Sequence, residues 1–382
     1  MTSAVFRDTT SADPFHSGKH LTRIPRMLSS AYSRRQFLSA GSSLLLAGAS
    51  PSCSFSEPPV AFFLIGDTHV LAREDDPSQI DDRSLTVNQR LIDTLNKLPE
   101  TAIPESAGGG RVLSPQGVLH AGDCIDSGDK PKVPMQQTEW GGYLEMFGTT
   151  GSDGLLRFPL FDVHGNHDSP RGDGYATLKM RDRNRRRSGL VNVSASGLQY
   201  SFDWGPVHVV CLGIVVGEVS EPSRTRRYAP HGSLDFLLAD LKDHVGESGR
   251  PVLLMHHIDV LRYSTSESID DATARQREWD PADVHGYYRA LQPYRIAGVL
   301  YGHTHGRNVF RWNGTKSPAS EGIPTFNVDN SSHFAGTQQA FFYMEVHSDR
   351  VVAREYATKD AWVTGAWTGQ VWNLPLRPPQ PA

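Results

Sequence analysis

The sequence predicts an α/β fold for most of the 382-residue chain. From residue 60 onward, short apolar runs bounded by Gly and Pro alternate with stretches whose apolar residues recur at helical spacing. The chain has 35 Gly and 25 Pro, which mark turns, and 38% apolar residues, which suffice for a core. Strands and helices in alternation are typical of a sheet covered by helices.

Nine apolar runs are predicted as strands and two segments as helices. Leu and Ile residues recur every three or four positions in segments 85–98 and 234–241, so each helix should pack one apolar face against a sheet. The predicted strands are residues 60–65, 117–121, 158–163, 207–212, 252–255, 296–301, 325–328, 341–346 and 351–356.

The chain is predicted to hold one domain, residues 60–358, because no repeat and no long linker divides this region. Residues 1–59 are predicted as an export signal and linker. Residues 359–382 form a tail in which Trp362, Trp367 and Trp372 recur among Gly, Thr and Pro. We expect these Trp residues to pack back onto the domain.

The N-terminal segment has the features of an export signal. Arg34-Arg35 precedes Gln36-Phe37 and an apolar stretch, residues 38–49, that ends in Ala47-Gly48-Ala49. This order resembles a bacterial twin-arginine signal, and the apolar stretch is too short for a permanent membrane anchor. We therefore expect export through the twin-arginine translocase to the periplasm or the exterior.

Charge and cysteine content narrow the function classes further. Cleavage after Ala49 leaves 32 basic and 40 acidic residues, a net charge of −8 that disfavours nucleic acid as a partner.

Three cysteines are too few for a disulfide scaffold. Cys53 follows Ser50-Pro51-Ser52, which departs from the lipoprotein pattern, so we interpret it as a linker residue. Cys124 and Cys211 are predicted to be buried.

Polar side chains follow five of the predicted strands at the point where each strand ends. Because parallel strands of an α/β sheet place their carboxyl ends along one rim, these side chains should converge on one site. The five motifs are Asp67-Thr68-His69, Gly122-Asp123-Cys124-Ile125-Asp126, Gly165-Asn166-His167-Asp168, His256-His257 and Gly302-His303-Thr304-His305.

Spacing within the motifs indicates which side chains act together. In extended chain, residues two apart point the same way, so Asp67 with His69 and His303 with His305 form chelating pairs. Residues 256 and 257 point oppositely, and one of them should reach the site. The donors are carboxylate, imidazole and amide oxygen, which suit Mn, Fe, Zn or Co. Seven donors exceed the needs of one ion, so two ions sharing Asp123 are expected.

The five motifs, in this order, resemble those of the calcineurin-like metallophosphoesterase superfamily, over residues 60–356. The resemblance implies two packed, mixed β-sheets flanked by helices, an αββα sandwich with the two-metal centre at the strand ends. It also implies the ligands. One ion is held by Asp67, His69 and His305, the other by Asn166, His256 and His303, with Asp123 bridging both ions; His256 is preferred to His257 by analogy with the family.

The resemblance further implies the chemistry. A water between the ions is activated as the nucleophile, His167 protonates the leaving oxygen as general acid, and the Asp126 carboxylate orients His167. Asp126-Ser127-Gly128 lacks the Arg that follows this Asp in protein Ser/Thr phosphatases, which disfavours that activity. The expected cofactors are two divalent or trivalent metal ions.

Weaker signals concern the rim of the site. Arg171, Tyr301 and His333 are candidate substrate contacts. Five Arg residues between positions 181 and 187 either overhang the site and attract an anion or form a solvated loop. His164 and His120 lie in strand-like runs and are expected to be buried structural residues.

The sequence thus predicts an exported, two-metal phosphoesterase whose substrate is a small phosphate ester. An alternative is a phosphodiesterase that acts on glycerophosphodiesters, cyclic nucleotides or nucleic acid. An alternative of another class is a metal-binding scaffold without catalysis, which the complete ligand set disfavours.

Overall fold

Strands of two mixed sheets form the centre of the molecule. The computed structural model describes residues 58–218, 226–263, 278–317 and 319–378. The first sheet has the order β13-β12-β11-β1-β2-β3. Its strands are β1 (Val60–Ile65), β2 (Val118–His120), β3 (Leu160–Asp162), β11 (Gln339–Val346), β12 (Arg350–Thr358) and β13 (Ala366–Pro375).

The second sheet has the order β4-β5-β6-β7-β8-β10-β9. Strands β6, β7, β8 and β10 run parallel to one another, as do β1, β2 and β3 of the first sheet. The strands are β4 (Asn192–Val193), β5 (Tyr200–Trp204), β6 (Val207–Cys211), β7 (Val252–Met255), β8 (Ile296–Tyr301), β9 (Asn308–Trp312) and β10 (Ile323–Asn327).

Helices cover the outer faces of both sheets. Residues of α1 (Asp82–Lys97), α2 (Val133–Phe147) and α3 (Tyr175–Asn184) share a buried apolar cluster with the first sheet. Residues of α4 (Ser233–Asp240) and α5 (Pro281–Leu291) share a second buried apolar cluster with the second sheet. The predicted αββα sandwich is therefore confirmed.

Strand β1 shows how the sequence builds these layers. Its six residues are all buried, and successive side chains alternate between two environments. Phe62 and Leu64 belong to the core between the sheets, whereas Phe63 and Ile65 belong to the core under the helices. A strand with both faces covered therefore consists of apolar residues throughout.

The C-terminal tail joins the first sheet. Strand β13 pairs antiparallel with β12 and forms the edge of the sheet. Trp362 is buried against Phe341, with ring centroids 5.3 Å apart, and Trp372 packs edge-on against Phe342 at 5.5 Å. These Trp side chains are thus part of the packing of the domain.

Two regions of the sequence interpretation lie outside the described residues, namely the N-terminal signal with Arg34 and Arg35, and Cys53. Within the described ranges, no helix has the length and apolar character needed to span a bilayer.

Candidate metal centre

The strand-end motifs meet in two groups of side chains that share one carboxylate. In the first group, ligand atoms of Asp67, His69, Asp123 and His305 all lie within 4.8 Å of one another. The Nε2 atoms of His69 and His305 are 3.2 Å apart, and His305 Nε2 is 3.4 Å from Asp67 Oδ1. Four donors this close, buried except for His305, form a pocket suited to one cation.

The second group contains Asp123, His257 and His303, again within 4.8 Å of one another. The Nε2 atom of His257 lies 3.2 Å from Asp123 Oδ2 and 3.1 Å from the amide oxygen of Asn166. Asn166 therefore joins this group with an oxygen donor. Because Asp123 belongs to both groups, its carboxylate is placed to bridge two ions.

The structure places His257 in the site and His256 outside it, so the expectation of His256 as a ligand is wrong. His256 is fully buried, and its ring stacks on Tyr301 at 5.5 Å and lies 5.2 Å from Trp279. Alternation along β7 explains the difference. Met255 faces the core between the sheets and Leu254 faces the core under the helices, so the side chain of His257 returns to the inter-sheet side. Local sequence carries no signal of this, because β7 is apolar on both faces.

The motifs are left-handed at the ligands instead of extended, and of the two expected chelating pairs only Asp67 with His69 shares a group, because His303 and His305 belong to different groups. Five site residues have left-handed backbones: Asp67 (φ 53°), His69 (43°), Asp123 (55°), His303 (75°) and His305 (50°). Such conformations are costly for non-glycine residues and persist where the surroundings enforce them. Hydrogen bonds between motifs enforce these conformations here. The main-chain N–H groups of Asp67 and His69 donate to the carbonyls of Gly122 and Asp123, at 3.0 and 3.1 Å.

Two glycines allow the ligand carboxylates to approach neighbouring backbone. A Cβ atom added at Gly165 would lie 2.2 Å from Asp123 Oδ1 and 2.5 Å from the Asp123 main-chain nitrogen. A Cβ atom at Gly302 would lie 2.4 Å from Asp67 Oδ2. Both distances are far shorter than a van der Waals contact, so these positions require glycine.

The buried carboxylate of Asp168 joins the second and third motifs. It accepts main-chain N–H donors from Cys124 and Ile125, each at 3.0 Å, and from Gly165 at 2.8 Å. Burial and the neighbouring Asp123 carboxylate raise the pKa of Asp168 to about 7. Asp168 thus shapes the loops that present Asp123 and Asn166.

Two ligand histidines have one ring nitrogen held and the other directed into the site. His257 Nδ1 donates to the carbonyl of Ala121 at 2.8 Å, and His69 Nδ1 lies 3.2 Å from Asp126 Oδ1. Each arrangement leaves Nε2 as the donor towards a cation, which is the usual arrangement in metal sites. The donor set therefore fits two metal ions.

Electrostatics also favours cations at this position. Burial alone would raise the pKa of Asp123, but His257 and His69 outweigh it and hold that pKa well below its usual range. Burial would lower the pKa of His257, yet the Asp123 carboxylate raises it to about 9. Without metal, the imidazole is therefore charged beside an ionised carboxylate, and bound cations would replace its proton.

The general-acid candidate His167 lies at the edge of the first group. Its ring centroid is 4.6 Å from that of His69, and its side chain is 31% exposed. Its main-chain N–H donates to Asp123 Oδ1 at 2.8 Å, and its Nδ1 donates to the main-chain carbonyl of Asp126 at 3.0 Å. Burial lowers the pKa of His167, but the Asp123 carboxylate and the Asp126 carbonyl outweigh it and raise that pKa.

The side chain of Asp126 has partners that the sequence interpretation did not assign. Its carboxylate contacts His69 Nδ1 at 3.2 Å and Lys130 Nζ at 3.0 Å, whereas His167 Nδ1 is 3.8 Å away. Asp126 thus holds His167 chiefly through its carbonyl, and its carboxylate chiefly orients His69. Lys130, four residues later, was missed because it lies outside the five motifs.

The three candidate rim residues have different positions. The ring of His333 lies 4.5 Å from His69 and 4.9 Å from His305, beside the first group. Tyr301 is fully buried in the core against His256, so the expectation that it lines the rim is wrong; as the last residue of β8, it faces the helix side. Arg171 is exposed, and its side chain forms no hydrogen bond or ion pair with a described residue.

The Arg-rich segment after the third motif is bound to the fold. Arg183 forms an ion pair with the buried Asp162 of β3, with Arg183 Nη1 2.9 Å from Asp162 Oδ2. The guanidinium of Arg187 lies 3.9 Å from the Phe161 ring centroid. Arg185 donates to the carbonyl of Ala195 at 2.7 Å. These three contacts favour a structural role over an anion-attracting overhang.

Glu278 is a further residue that sequence reasoning missed. Its carboxylate is 2% exposed and lies 3.2 Å from Nε2 of His303. No strand-end motif contains Glu278, and only the fold brings it beside the second group.

Comparisons with known proteins identify the family of the chain and structures with a similar fold. The model of the calcineurin-like phosphoesterase family matches residues 60–307. A dimetal phosphatase from Danio rerio has a similar structure, with TM-score 0.51 and 13% identity, covering 84% of this chain and 100% of the other. PhoD is more distant, with TM-score 0.45 and 12% identity over 82% of this chain and 72% of the other. No curated protein matches the sequence.

Proposed function

The chain belongs to the calcineurin-like phosphoesterase family, and from this premise we propose that it is an exported, two-metal enzyme that hydrolyses small phosphate esters. The observation that carries the proposal is Asp123, whose carboxylate belongs to both ligand groups. Asp67, His69 and His305 would hold one ion with Asp123, and Asn166, His257 and His303 would hold the other.

The two ions would supply Lewis-acid activation of water and neutralise charge on the phosphoryl oxygens. The protein supplies a rigid set of donors. His257 donates a hydrogen bond to the Ala121 carbonyl and His69 donates one to the Asp126 carboxylate, which orients both rings, and Asp168 fixes the loop of Asp123. Reconstitution of metal-free protein with Mn, Fe, Zn or Co, followed by a rate measurement, identifies the metals that support turnover.

His167 is proposed to protonate the leaving oxygen. Its Nδ1 is bound to the Asp126 carbonyl, so Nε2 is the atom left to face a substrate. His167→Ala should therefore slow esters of alkyl alcohols by about 10²–10⁴-fold. Nitrophenyl esters should lose much less, because nitrophenolate leaves without a proton.

The test compares glycerol phosphate with nitrophenyl phosphate for the wild type and His167→Ala, using His347→Ala as the control. His347 is a partly buried histidine that pairs with Glu345 at the end of β11, away from the site. Equal losses for both esters in His167→Ala would refute the acid role.

His333 is proposed as a substrate contact. Its Nδ1 accepts the Ala335 N–H at 3.1 Å, and its ring stacks on Phe334 at 4.6 Å, so its Nε2–H is a fixed donor beside the first group. His333→Ala should raise KM more than it lowers kcat, because a donor to the phosphoryl group is lost. An unchanged KM would exclude the contact.

The ester class is decided by rates on nitrophenyl phosphate and bis-nitrophenyl phosphate. A higher kcat/KM for the first identifies a monoesterase, and a higher value for the second a phosphodiesterase. Two bound ions with no turnover of either ester would instead favour the non-catalytic scaffold.

Export through the twin-arginine translocase is proposed from the sequence alone. The translocase moves folded proteins, so the metals would be loaded before export. Replacing Arg34 and Arg35 by Lys should leave metal-bearing precursor in the cytosol. Continued export of that variant, or a cytosolic precursor without metal, would contradict this proposal.

A further inference from the structure

We propose that Glu278 is a positioning residue for the second ion, acting through His303. This inference rests on the two-metal centre proposed above. Both carboxylate oxygens of Glu278 lie 3.2 Å from Nε2 of His303, and Glu278 is 2% exposed. A buried carboxylate this close accepts the Nε2 hydrogen, so the lone pair of the ring is on Nδ1.

Arg262 holds Glu278 in this position. Its Nη2 is 3.1 Å from Glu278 Oε1, and its Nε forms a second contact with Oε2. The two segments are also joined by main-chain hydrogen bonds, since the N–H groups of Glu278 and Trp279 donate to the Arg262 carbonyl at 3.1 and 3.2 Å. The carboxylate is therefore anchored independently of His303.

The main chain of His303 is fixed separately by the first group. Its N–H donates to both carboxylate oxygens of Asp67, at 3.0 and 3.1 Å. These main-chain bonds leave the side-chain torsions of His303 free, and Glu278 restrains them by holding Nε2 of the ring. Among the described residues, Glu278 is not part of the ligand group of Asp123, His257 and His303, which argues for an indirect role.

Carboxylates that orient a ligand histidine typically contribute about 10–100-fold to metal affinity. We expect Glu278→Ala to weaken the second ion by about this factor and to leave the first unchanged. Glu278→Gln keeps an oxygen acceptor without the charge, so its loss of affinity should be smaller than that of Glu278→Ala.

The experiment titrates metal-free full-length protein with Co²⁺ against a chelator and records the visible spectrum of each binding step. His303→Ala identifies the second step. Glu345→Ala is the matched control, because Glu345 is also a buried carboxylate with an Arg and a His partner, Arg354 at 3.0 Å and His347 at 3.3 Å. Glu345 pairs with Ala61 near the start of β1, at the opposite end from Asp67.

A second step weakened selectively in Glu278→Ala, with an altered cobalt spectrum, supports the inference. An unchanged second step, or equal weakening of both steps, overturns it. If Glu278→Ala does not fold, the isosteric Glu278→Gln decides by the same criterion. A wild type that binds two ions but hydrolyses no ester refutes the proposed function and leaves this comparison intact. A wild type that binds one ion overturns the inference itself.

Discussion

Gly165→Ala tests how closely the second and third motifs must approach. The added Cβ would lie 2.2 Å from Asp123 Oδ1 and 2.5 Å from the Asp123 main-chain nitrogen. An ordinary contact needs about 3.5 Å, so the two loops must separate by roughly 1 Å, and rotation of the Asp123 side chain cannot relieve the clash with the backbone.

A displacement of about 1 Å at a reacting centre costs on the order of 100-fold in rate, and overpacking costs about 1–3 kcal/mol of unfolding free energy. We therefore expect kcat/KM for nitrophenyl phosphate to fall about 100-fold in Gly165→Ala, with weaker metal binding.

Gly141→Ala is the control for this substitution. Gly141 lies within α2, and a Cβ there meets nothing within 4 Å. Activity should be unchanged, and urea unfolding should show a gain of roughly 0.5–1 kcal/mol. Wild-type activity with two bound ions in Gly165→Ala would refute the account of the close approach.

Three other predictions follow from packing and burial. Gly142→Ala should raise the free energy of unfolding less than Gly141→Ala, because its Cβ would lie 2.8 Å from the Ile80 side chain, which must shift; equal effects on urea unfolding would contradict this. In a Cys53→Ser chain, Ellman's reagent should react with no thiol until the protein unfolds, since Cys124 and Cys211 are buried and burial raises the pKa of Cys211 to about 12; fast labelling would count against their burial. Burial outweighs the Arg226 charge and raises the pKa of Asp283 to about 6, above 3.8 for the unfolded chain. The folded state then holds this proton more tightly, so its contribution to stability is present below pH 4 and lost as pH rises through 6. The free energy of unfolding of Asp283→Asn, measured with urea, should not show that decline with pH. Wild-type and Asp283→Asn profiles that run parallel would refute this prediction.

The sequence predicted the central strands well because they are buried on both faces. Strands β1, β7 and β8 consist of apolar residues and match the predicted runs. Strand β13 was not predicted, because it is a largely exposed edge strand that contains Gly369. Helix α2 was missed as well, since Gly141 and Gly142 interrupt its pattern.

The sequence predicted which residue types form the site better than it predicted their arrangement in space. Motif order located the donors, but His303 and His305 belong to different ligand groups, and no spacing rule reveals the left-handed backbones that direct them there. The two apolar faces of β7 look alike in sequence, so nothing local distinguishes His256 from His257. Glu278 and Lys130 reach the site through the fold alone.

Metal content and turnover of Asp123→Ala test the central claim most directly. Wild-type protein reconstituted with Mn, Fe, Zn or Co should bind two ions per chain and hydrolyse nitrophenyl esters only when loaded. Because Asp123 belongs to both ligand groups, Asp123→Ala should lose both ions and all metal-dependent turnover. Retention of two tightly bound ions by Asp123→Ala, or hydrolysis by the metal-free wild type, would contradict the shared-carboxylate centre.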